Sequence, residues 1–288
     1  MTDEEFMKIP GDQLGRGTQI KVETVESETD LYHDMARVMF NAIVDGLEKG
    51  QPPVFILPVG PRDQYRRLAR LCNVEGVSCR DVVCINMDEY LNREGSDYIS
   101  YSHPLSFRRF MDEEFFNLLD PDKQVARENR LLPHPSSPDS IGARIAELGG
   151  VDICFGGIGI NGHVAFNEPP DPSLGMTVEQ FAALPTRVVE LDYRTRVVNG
   201  MSAARGNLEA MPRWAITVGM KEILAARSVR IYLNRGWQAA VARRWIHGPV
   251  TPQVPASLLQ RHPDVHVCDH ARGGRGALDP FGLVRRWP

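Results

Sequence analysis

Along this chain, short runs of apolar residues alternate with longer stretches in which the apolar residues recur at helical spacing. Between residues 29 and 50 the apolar positions recur at helical spacing, which predicts an amphipathic helix that ends near Gly50. The run at 53–58 is continuously apolar and predicts a buried strand. The runs at 81–87 and 151–155 predict two more strands of the same kind.

The rest of the chain repeats this alternation. Helices are expected at 64–71, 105–119, 141–148, 221–226 and 238–245, and strands at 186–191, 214–218, 229–233 and 265–268. Strands that alternate with helices predict an α/β fold, an open, mostly parallel, Rossmann-like sheet with helices on both faces. No segment has the composition of a linker. We therefore expect one domain over 1–288, with an N-terminal extension at about 1–16 and a Gly/Arg-rich tail at about 271–288.

Composition narrows the class of partner. The formal net charge is −4, whereas proteins that bind nucleic acids or anionic membranes usually carry a basic excess. No apolar run approaches the ~18 residues of a membrane-spanning helix, and the acidic N-terminus lacks the layout of a secretion signal. The five cysteines include no CxxC pair, so neither structural zinc nor a disulfide framework is expected. These features favour a cytoplasmic protein that binds neither nucleic acid nor membrane.

Polar residues with catalytic potential follow two of the predicted strands, at the sheet edge where such folds place their working groups. Asp88 and Glu89 come directly after the strand at 81–87. A carboxylate in that position also caps the following turn in many proteins, so the acidic pair has a purely structural explanation as well. The strand at 151–155 leads into a glycine-rich segment that ends at His163, with Glu168 five residues further on. An imidazole beside a carboxylate suits general acid–base catalysis, although a lone histidine after a strand is often only structural.

Two segments together resemble the glucosamine-6-phosphate deaminase family. They are NMDEY at 86–90 and GGIGINGHVAFNEP at 156–169, and the resemblance extends in order over roughly 30–270, as far as LQRHPDVHVCD at 259–269. The glycine spacing does not match the dinucleotide-binding pattern GxGxxG. The wider fold family includes 6-phosphogluconolactonase, which has a similar Gly-His loop.

The resemblance implies an aldose–ketose isomerase and deaminase that converts an amino sugar to a ketose and releases ammonia. Asp88 would be the base that moves a proton between C2 and C1 of the opened sugar. His163 would shuttle the proton that opens the ring, and Glu168 would orient the imidazole. The resemblance implies no metal and no organic cofactor, and it suggests a homo-oligomer.

The chain departs from the family at several positions. Asn161 stands where the family has a second acid, which leaves Glu168 as the main anionic support of His163. The loop at 59–65 lacks the family's hydroxyl-rich phosphate cradle, and the family's phosphate-binding arginine and lysine align with Met201 and Gln238. Either other arginines (Arg62, Arg205 or Arg235) hold a phosphate, or the substrate carries none. The expected substrate-binding residues are Glu89, Asn161, Gly157, Gly60, Arg62 and Arg205.

Two other functions remain open from the sequence. A lactone hydrolase of the 6-phosphogluconolactonase type would need His163 as the base for water but would have no use for Asp88. A sugar-binding protein that catalyses no reaction would need neither His163 nor Asp88 as a catalytic group. The first 30 residues contain no basic helix-turn-helix pattern of the kind that DNA-binding sugar sensors carry.

Overall fold

A computed structural model describes residues 3–270 of the chain, with side chains from Glu5 onwards. Its centre is a seven-stranded sheet in the order β1-β10-β9-β6-β2-β3-β5, in which every neighbouring pair is parallel. A smaller antiparallel sheet, β4-β8-β7, lies outside it. The strands are β1 (Lys21–Val25), β2 (Val54–Leu57), β3 (Val83–Asn86), β4 (Asp88–Tyr90), β5 (Arg130–Leu131), β6 (Ile153–Gly156), β7 (Arg187–Glu190), β8 (Trp214–Thr217), β9 (Ser228–Leu233) and β10 (Val265–His270).

Nine α-helices lie within residues 3–270. They are α1 (Asp3–Met7), α2 (Glu28–Glu48), α3 (Gln64–Glu75), α4 (Phe107–Glu114), α5 (Asp139–Glu147), α6 (Val178–Ala182), α7 (Tyr193–Ser202), α8 (Met220–Leu224) and α9 (Gln238–His247). Ser27 caps α2 through a reciprocal pair of hydrogen bonds with Asp30, a standard helix-starting arrangement. In this part of the chain no helix is long and apolar enough to cross a membrane.

Successive residues of the central strands enter two different hydrophobic cores. On β2, Val54 and Ile56 pack with residues of α8 and α9, whereas Phe55 and Leu57 pack with residues of α2 and α3. Side chains of a strand alternate between its two faces, so a strand covered on both sides is apolar throughout. This explains the uninterrupted apolar run at 53–58 and confirms the predicted α/β class.

Most of the predicted elements are present, and the differences have local causes. The helix expected at 105–119 ends at Glu114 and is followed by a 3₁₀ turn at Phe116–Leu118. Strands β1 and β5 and helices α1, α6 and α7 were not predicted. The largest difference is at Asp88–Tyr90, which forms a strand of the second sheet rather than a turn. The N-terminal extension is anchored, since Phe6 packs on α9; the tail at about 271–288 lies outside the described residues.

Candidate active site

A cavity of about 670 Å³ opens at the carboxyl edge of the central sheet. It is lined by the segments that follow four adjacent strands, β9, β6, β2 and β3, and by residues of α7. The chain order reverses between β6 and β2, which makes this the position where open parallel sheets bind their ligands. Asp88, His163, Gly157, Gly60 and Arg62 all line the cavity.

Asp88 is the buried acid of the cavity. Its side chain forms no hydrogen bond with any group in residues 3–270, and the residue is only 8% exposed. Burial, with a smaller contribution from the neighbouring Glu89 charge, raises the pKa of Asp88 from 3.8 to about 8. A carboxylate whose pKa lies near neutrality is a stronger base than an ordinary aspartate, which suits a group that must take up and return a proton.

Glu89 does not line the cavity. Its side chain is fully buried on the other side of β4, where its carboxylate accepts hydrogen bonds from the backbone N–H groups of Phe107 (3.0 Å) and Arg108 (2.9 Å) at the start of α4. Ser106 Oγ and Arg108 Nε each lie 3.3 Å from the same carboxylate. Glu89 therefore caps helix α4. This is the structural explanation for an acid at this position that the sequence left open. The geometry does not support the expected contact between Glu89 and the substrate.

The glycine-rich segment brings His163 back over the end of β6. The imidazole packs directly against Gly159: a Cβ built there would lie 2.1 Å from His163 Cε1 and Nε2. Gly162 has a φ of 86° and lets the chain turn just before the histidine. The backbone N–H of Gly159 donates to the carbonyl of His163, which closes the loop.

Three oxygen atoms surround Nδ1 of His163. They are Asn161 Oδ1 at 2.8 Å, Glu168 Oε2 at 3.1 Å and Thr195 Oγ1 at 3.2 Å. This environment favours a proton on Nδ1, which leaves the lone pair of Nε2 free to accept a proton from a ligand. The ring is 9% exposed, so its orientation is set by these contacts rather than by solvent.

Asn161 links His163 to Glu168. Its Nδ2 donates to Glu168 Oε2 at 2.6 Å, and its Oδ1 accepts from the backbone N–H of His163 at 3.2 Å. Burial opposes the ionisation of Glu168, but the His163 charge and hydrogen bonds from His163, Asn161 and Thr195 outweigh it and lower the pKa of Glu168. An amide at 161 can donate to this carboxylate, whereas an acid there would repel it.

Thr195 was not predicted to belong to the site. It lies near the start of α7, is 1% exposed, and reaches His163 from a point 32 residues further along the chain. Helix α7 itself gave no clear helical pattern in the sequence. The family resemblance extends through Thr195, but only the tertiary structure brings its hydroxyl to the imidazole, because no spacing in the sequence connects the two residues.

An aromatic cluster forms part of the cavity wall. Tyr90, Phe107 and Phe166 line the cavity, and the Tyr90 ring centroid lies 4.8 Å from that of Phe107 and 5.5 Å from that of Phe166. Asn199 Nδ2 donates to the Tyr90 hydroxyl at 3.2 Å. An apolar wall beside a few polar groups is typical of sites for small organic ligands.

The fold places two of the three candidate phosphate-binding arginines at the cavity and the third outside it. Arg62 and Arg235 line the cavity, whereas Arg205 lies on an exposed turn after α7 and does not. Met201 and Gln238, the positions aligned with the family's cationic residues, both line the cavity. Within residues 3–270 no group of three or more His, Cys, Asp or Glu side chains is arranged to hold a metal ion.

The fold and site define a class of α/β enzymes in which a glycine-rich loop that ends in a histidine lies beside an acid at the end of a nearby parallel strand. The protein from Shewanella loihica named glucosamine-6-phosphate deaminase is 33% identical over 257 residues, which is 86% of this chain and 88% of that protein. The Edwardsiella ictaluri protein of the same name is 32% identical over 76% of this chain and 78% of its own length. This chain belongs to the glucosamine-6-phosphate deaminase family. No family model matches it.

Solved structures agree with this assignment. A structure described as a monomeric glucosamine-6-phosphate deaminase superposes with a TM-score of 0.74 at 26% identity, covering 88% of this chain and 98% of its own. The 6-phosphogluconolactonase from Trypanosoma cruzi reaches a TM-score of 0.63 at 17% identity, covering 88% of this chain and 94% of its own. The lactonase comparison shows the shared fold alone.

Proposed function

We propose that this enzyme converts an amino sugar to a ketose with release of ammonia. The observation that carries the proposal is the Asp88 carboxylate, which is buried without a hydrogen-bond partner in residues 3–270 and lines the same cavity as His163. An isomerisation between C2 and C1 needs such a base, and a lactone hydrolysis does not. Family membership supports the same reaction.

The proposed reaction uses the three residues in succession. His163 Nε2 takes the proton of the sugar O1 hydroxyl and delivers one to the ring oxygen, which opens the ring. Asp88 then removes the proton from C2 and returns it at C1, while one proton of the C2 ammonium group passes to the aldehyde oxygen O1, so that C1 becomes a hydroxymethyl group and the nitrogen at C2 a protonated imine. Water adds to this imine, and the C–N bond breaks to give the ketone and ammonia. Glu168 stabilises the protonated imidazole during the first step.

The decisive experiment compares Asp88→Asn with wild type on a panel of amino sugars, scored for ammonia. A general base typically contributes 10²–10⁴-fold, so we expect the variant to lose at least ~100-fold in kcat. Asp81→Asn is the matched control, because Asp81 is an exposed acid just before β3 and outside the cavity. Full ammonia release by Asp88→Asn would contradict the proposal. Activity of both proteins on a sugar lactone would favour the hydrolase instead.

We also propose that the enzyme acts in the cytoplasm and that each chain folds as a single domain. We propose further that identical chains assemble into a homo-oligomer. The proposal of a cytoplasmic location is supported by five cysteines that are all free and buried, since unpaired thiols persist in a reducing compartment. The solved deaminase of similar fold is described as monomeric, so sedimentation equilibrium of the full chain is the appropriate test of assembly. A single species at the monomer mass would exclude the oligomer.

A further inference from the structure

The proposed reaction needs a hydrogen-bond donor that Asp88 and His163 do not supply. When the C2 proton leaves, negative charge develops on the aldehyde oxygen O1, and enzymes stabilise such charge with fixed hydrogen-bond donors. His163 is not this donor, because the contacts at Nδ1 favour a proton there and leave Nε2 with a lone pair. A further donor is therefore required at the cavity.

The tyrosine hydroxyls of the cavity differ in whether their hydrogen is already used. Tyr32, Tyr90 and Tyr232 are the tyrosines that line the cavity within residues 3–270. The hydroxyls of Tyr32 and Tyr232 each donate to a carboxylate of α2. The Tyr90 hydroxyl accepts from Asn199 Nδ2 at 3.2 Å and donates to no group in residues 3–270. Its hydrogen is therefore available to a ligand.

Strand β4 places this hydroxyl on the same side as the base. Asp88 and Tyr90 are two residues apart on β4, so their side chains leave the same face of the strand, about 7 Å from each other along it. Both line the cavity, whereas Glu89 between them does not. The base and the phenol therefore border the same part of the cavity.

Helix α7 relates the same hydroxyl to the imidazole. Thr195 and Asn199 are four residues apart on α7, so they lie on one face of the helix. Thr195 Oγ1 lies 3.2 Å from His163 Nδ1, and Asn199 Nδ2 lies 3.2 Å from the Tyr90 hydroxyl. One helix face thus holds the imidazole and the phenol about one helical turn apart, roughly 5.4 Å along its axis.

We infer that Tyr90 is a further catalytic residue, whose hydroxyl donates a hydrogen bond to O1 while Asp88 removes the proton from C2, and that Asn199 positions this hydroxyl. Tyr90 keeps its own proton, because the proton that O1 finally takes up comes from the C2 ammonium group. Burial, with a smaller contribution from the Asp88 charge, raises the pKa of Tyr90, so the hydroxyl remains a donor. The inference rests on the proposed function for the identity of the reaction.

The kinetic test is Tyr90→Phe, which removes the hydroxyl and keeps the ring that packs on Phe107 and Phe166. Loss of one such donor typically costs about 10²–10³-fold, so we expect kcat for ammonia release to fall ~100-fold or more with little change in KM or Tm. With a substrate deuterated at C2, the isotope effect on kcat is expected to be larger in the variant, because proton removal then limits the rate.

Asn199→Ala tests the positioning of the hydroxyl. The variant is expected to lose less kcat than Tyr90→Phe and to show the same increase in the isotope effect. In the double variant, the loss is expected to match that of Tyr90→Phe alone, since Asn199 acts through the hydroxyl. Independent, additive losses would overturn the positioning role of Asn199.

A binding measurement tests the hydroxyl without turnover. The probe is arabinonohydroxamate, with and without a 5-phosphate, whose planar hydroxamate group resembles the C1–C2 fragment after the proton has left. In calorimetry, Tyr90→Phe is expected to bind it roughly tenfold or more weakly than wild type, the scale of a lost hydrogen bond to a charged group. Tyr98→Phe is the matched control, because the Tyr98 hydroxyl donates to the Pro133 carbonyl at 2.7 Å and lies outside the cavity.

The outcomes separate this inference from the proposed function. Ammonia release and hydroxamate affinity that are unchanged in Tyr90→Phe would overturn the inference and leave the deaminase function intact. A lower kcat with a lower Tm and an unchanged isotope effect would overturn it too, since the hydroxyl would then be structural. If no amino sugar releases ammonia but Tyr90→Phe binds the hydroxamate more weakly than wild type and Tyr98→Phe, the proposed function fails and the assignment of Tyr90 as a donor stands.

Discussion

Two adjacent acids on β4 have opposite functions because a strand directs successive side chains to opposite faces. Asp88 lines the cavity, and Glu89 caps α4. The pairing of Asp88 with Thr217 on β8 fixes which of the two faces the cavity. A shift of one residue in this pairing would exchange their roles, so the register of a short strand determines which acid is the base.

The raised pKa of Asp88 makes both activity and stability depend on pH. For catalysis the carboxylate must be ionised, so kcat/KM is expected to fall as the pH drops below about 8, measured as ammonia release between about pH 6 and 9. Between pH 3.8 and about 8 the folded protein holds a proton that the unfolded chain has released, and rising pH therefore lowers the free energy of unfolding.

Asp88→Asn isolates this stability effect. The variant is expected to match wild type in urea unfolding near about pH 4 and to become progressively more stable than wild type up to about pH 8, because it has no charge to bury. If the free energies of unfolding of the variant and wild type differ by the same amount across this pH range, the pKa of Asp88 is not raised in the folded protein.

Gly159 should be irreplaceable because of the imidazole. In Gly159→Ala the new methyl group would lie 2.1 Å from two atoms of the imidazole ring, so His163 must move. We expect kcat to fall on the order of 100-fold, the cost of misplacing a catalytic group by about 1 Å. Gly156→Ala is the control, since a Cβ there meets Met87 and Ile231 at 3.5 and 3.7 Å, ordinary contact distances. An equal loss of kcat in the two variants would contradict the prediction that the close packing of His163 on Gly159 is required for activity.

At the scale of elements, β4 and α4 are joined through Glu89. The carboxylate binds the first N–H groups of α4, and burial outweighs these hydrogen bonds and raises its own pKa. Its charge also contributes to the raised pKa of Asp88. The capping residue of one element therefore influences the basicity of the catalytic residue beside it.

Glu89→Gln tests both effects. Loss of the charged acceptor is expected to lower the free energy of unfolding by about 2 kcal/mol, measured in urea. Removal of the charge is expected to shift the acidic limb of the kcat/KM profile to lower pH, because Asp88 then ionises more easily. A purely structural residue would change stability alone, so an unmoved pH profile would refute the electrostatic coupling.

At the scale of the molecule, two hydrophobic cores share one sheet, and the N-terminal extension adds a smaller cluster to α9. Phe6 is 2% exposed, and Arg243 Nε donates to the carbonyl of Ile9 at 2.8 Å. The extension is therefore part of the packed structure. It supports the helix whose first residue, Gln238, connects the loops at the cavity.

Phe6→Ala is expected to lower the free energy of unfolding by about 3 kcal/mol while urea unfolding remains a single transition. Val74→Ala is the control, since Val74 is 72% exposed and its truncation should change little. Two separated transitions in either protein would contradict the single-domain proposal, because cores on opposite faces of one sheet should unfold together.

The amino-acid sequence by itself determined the α/β class, the strand before Asp88, and the glycine-rich loop with His163 and Glu168. These follow from hydrophobic periodicity and from turn residues, both of which are local properties of a chain. Only the tertiary structure decided that Asp88 rather than Glu89 lines the cavity, that Thr195 reaches the imidazole, and that Arg62 and Arg235 line the cavity while Arg205 does not. Strand register and helix packing join residues far apart in sequence, and no local pattern encodes those distances.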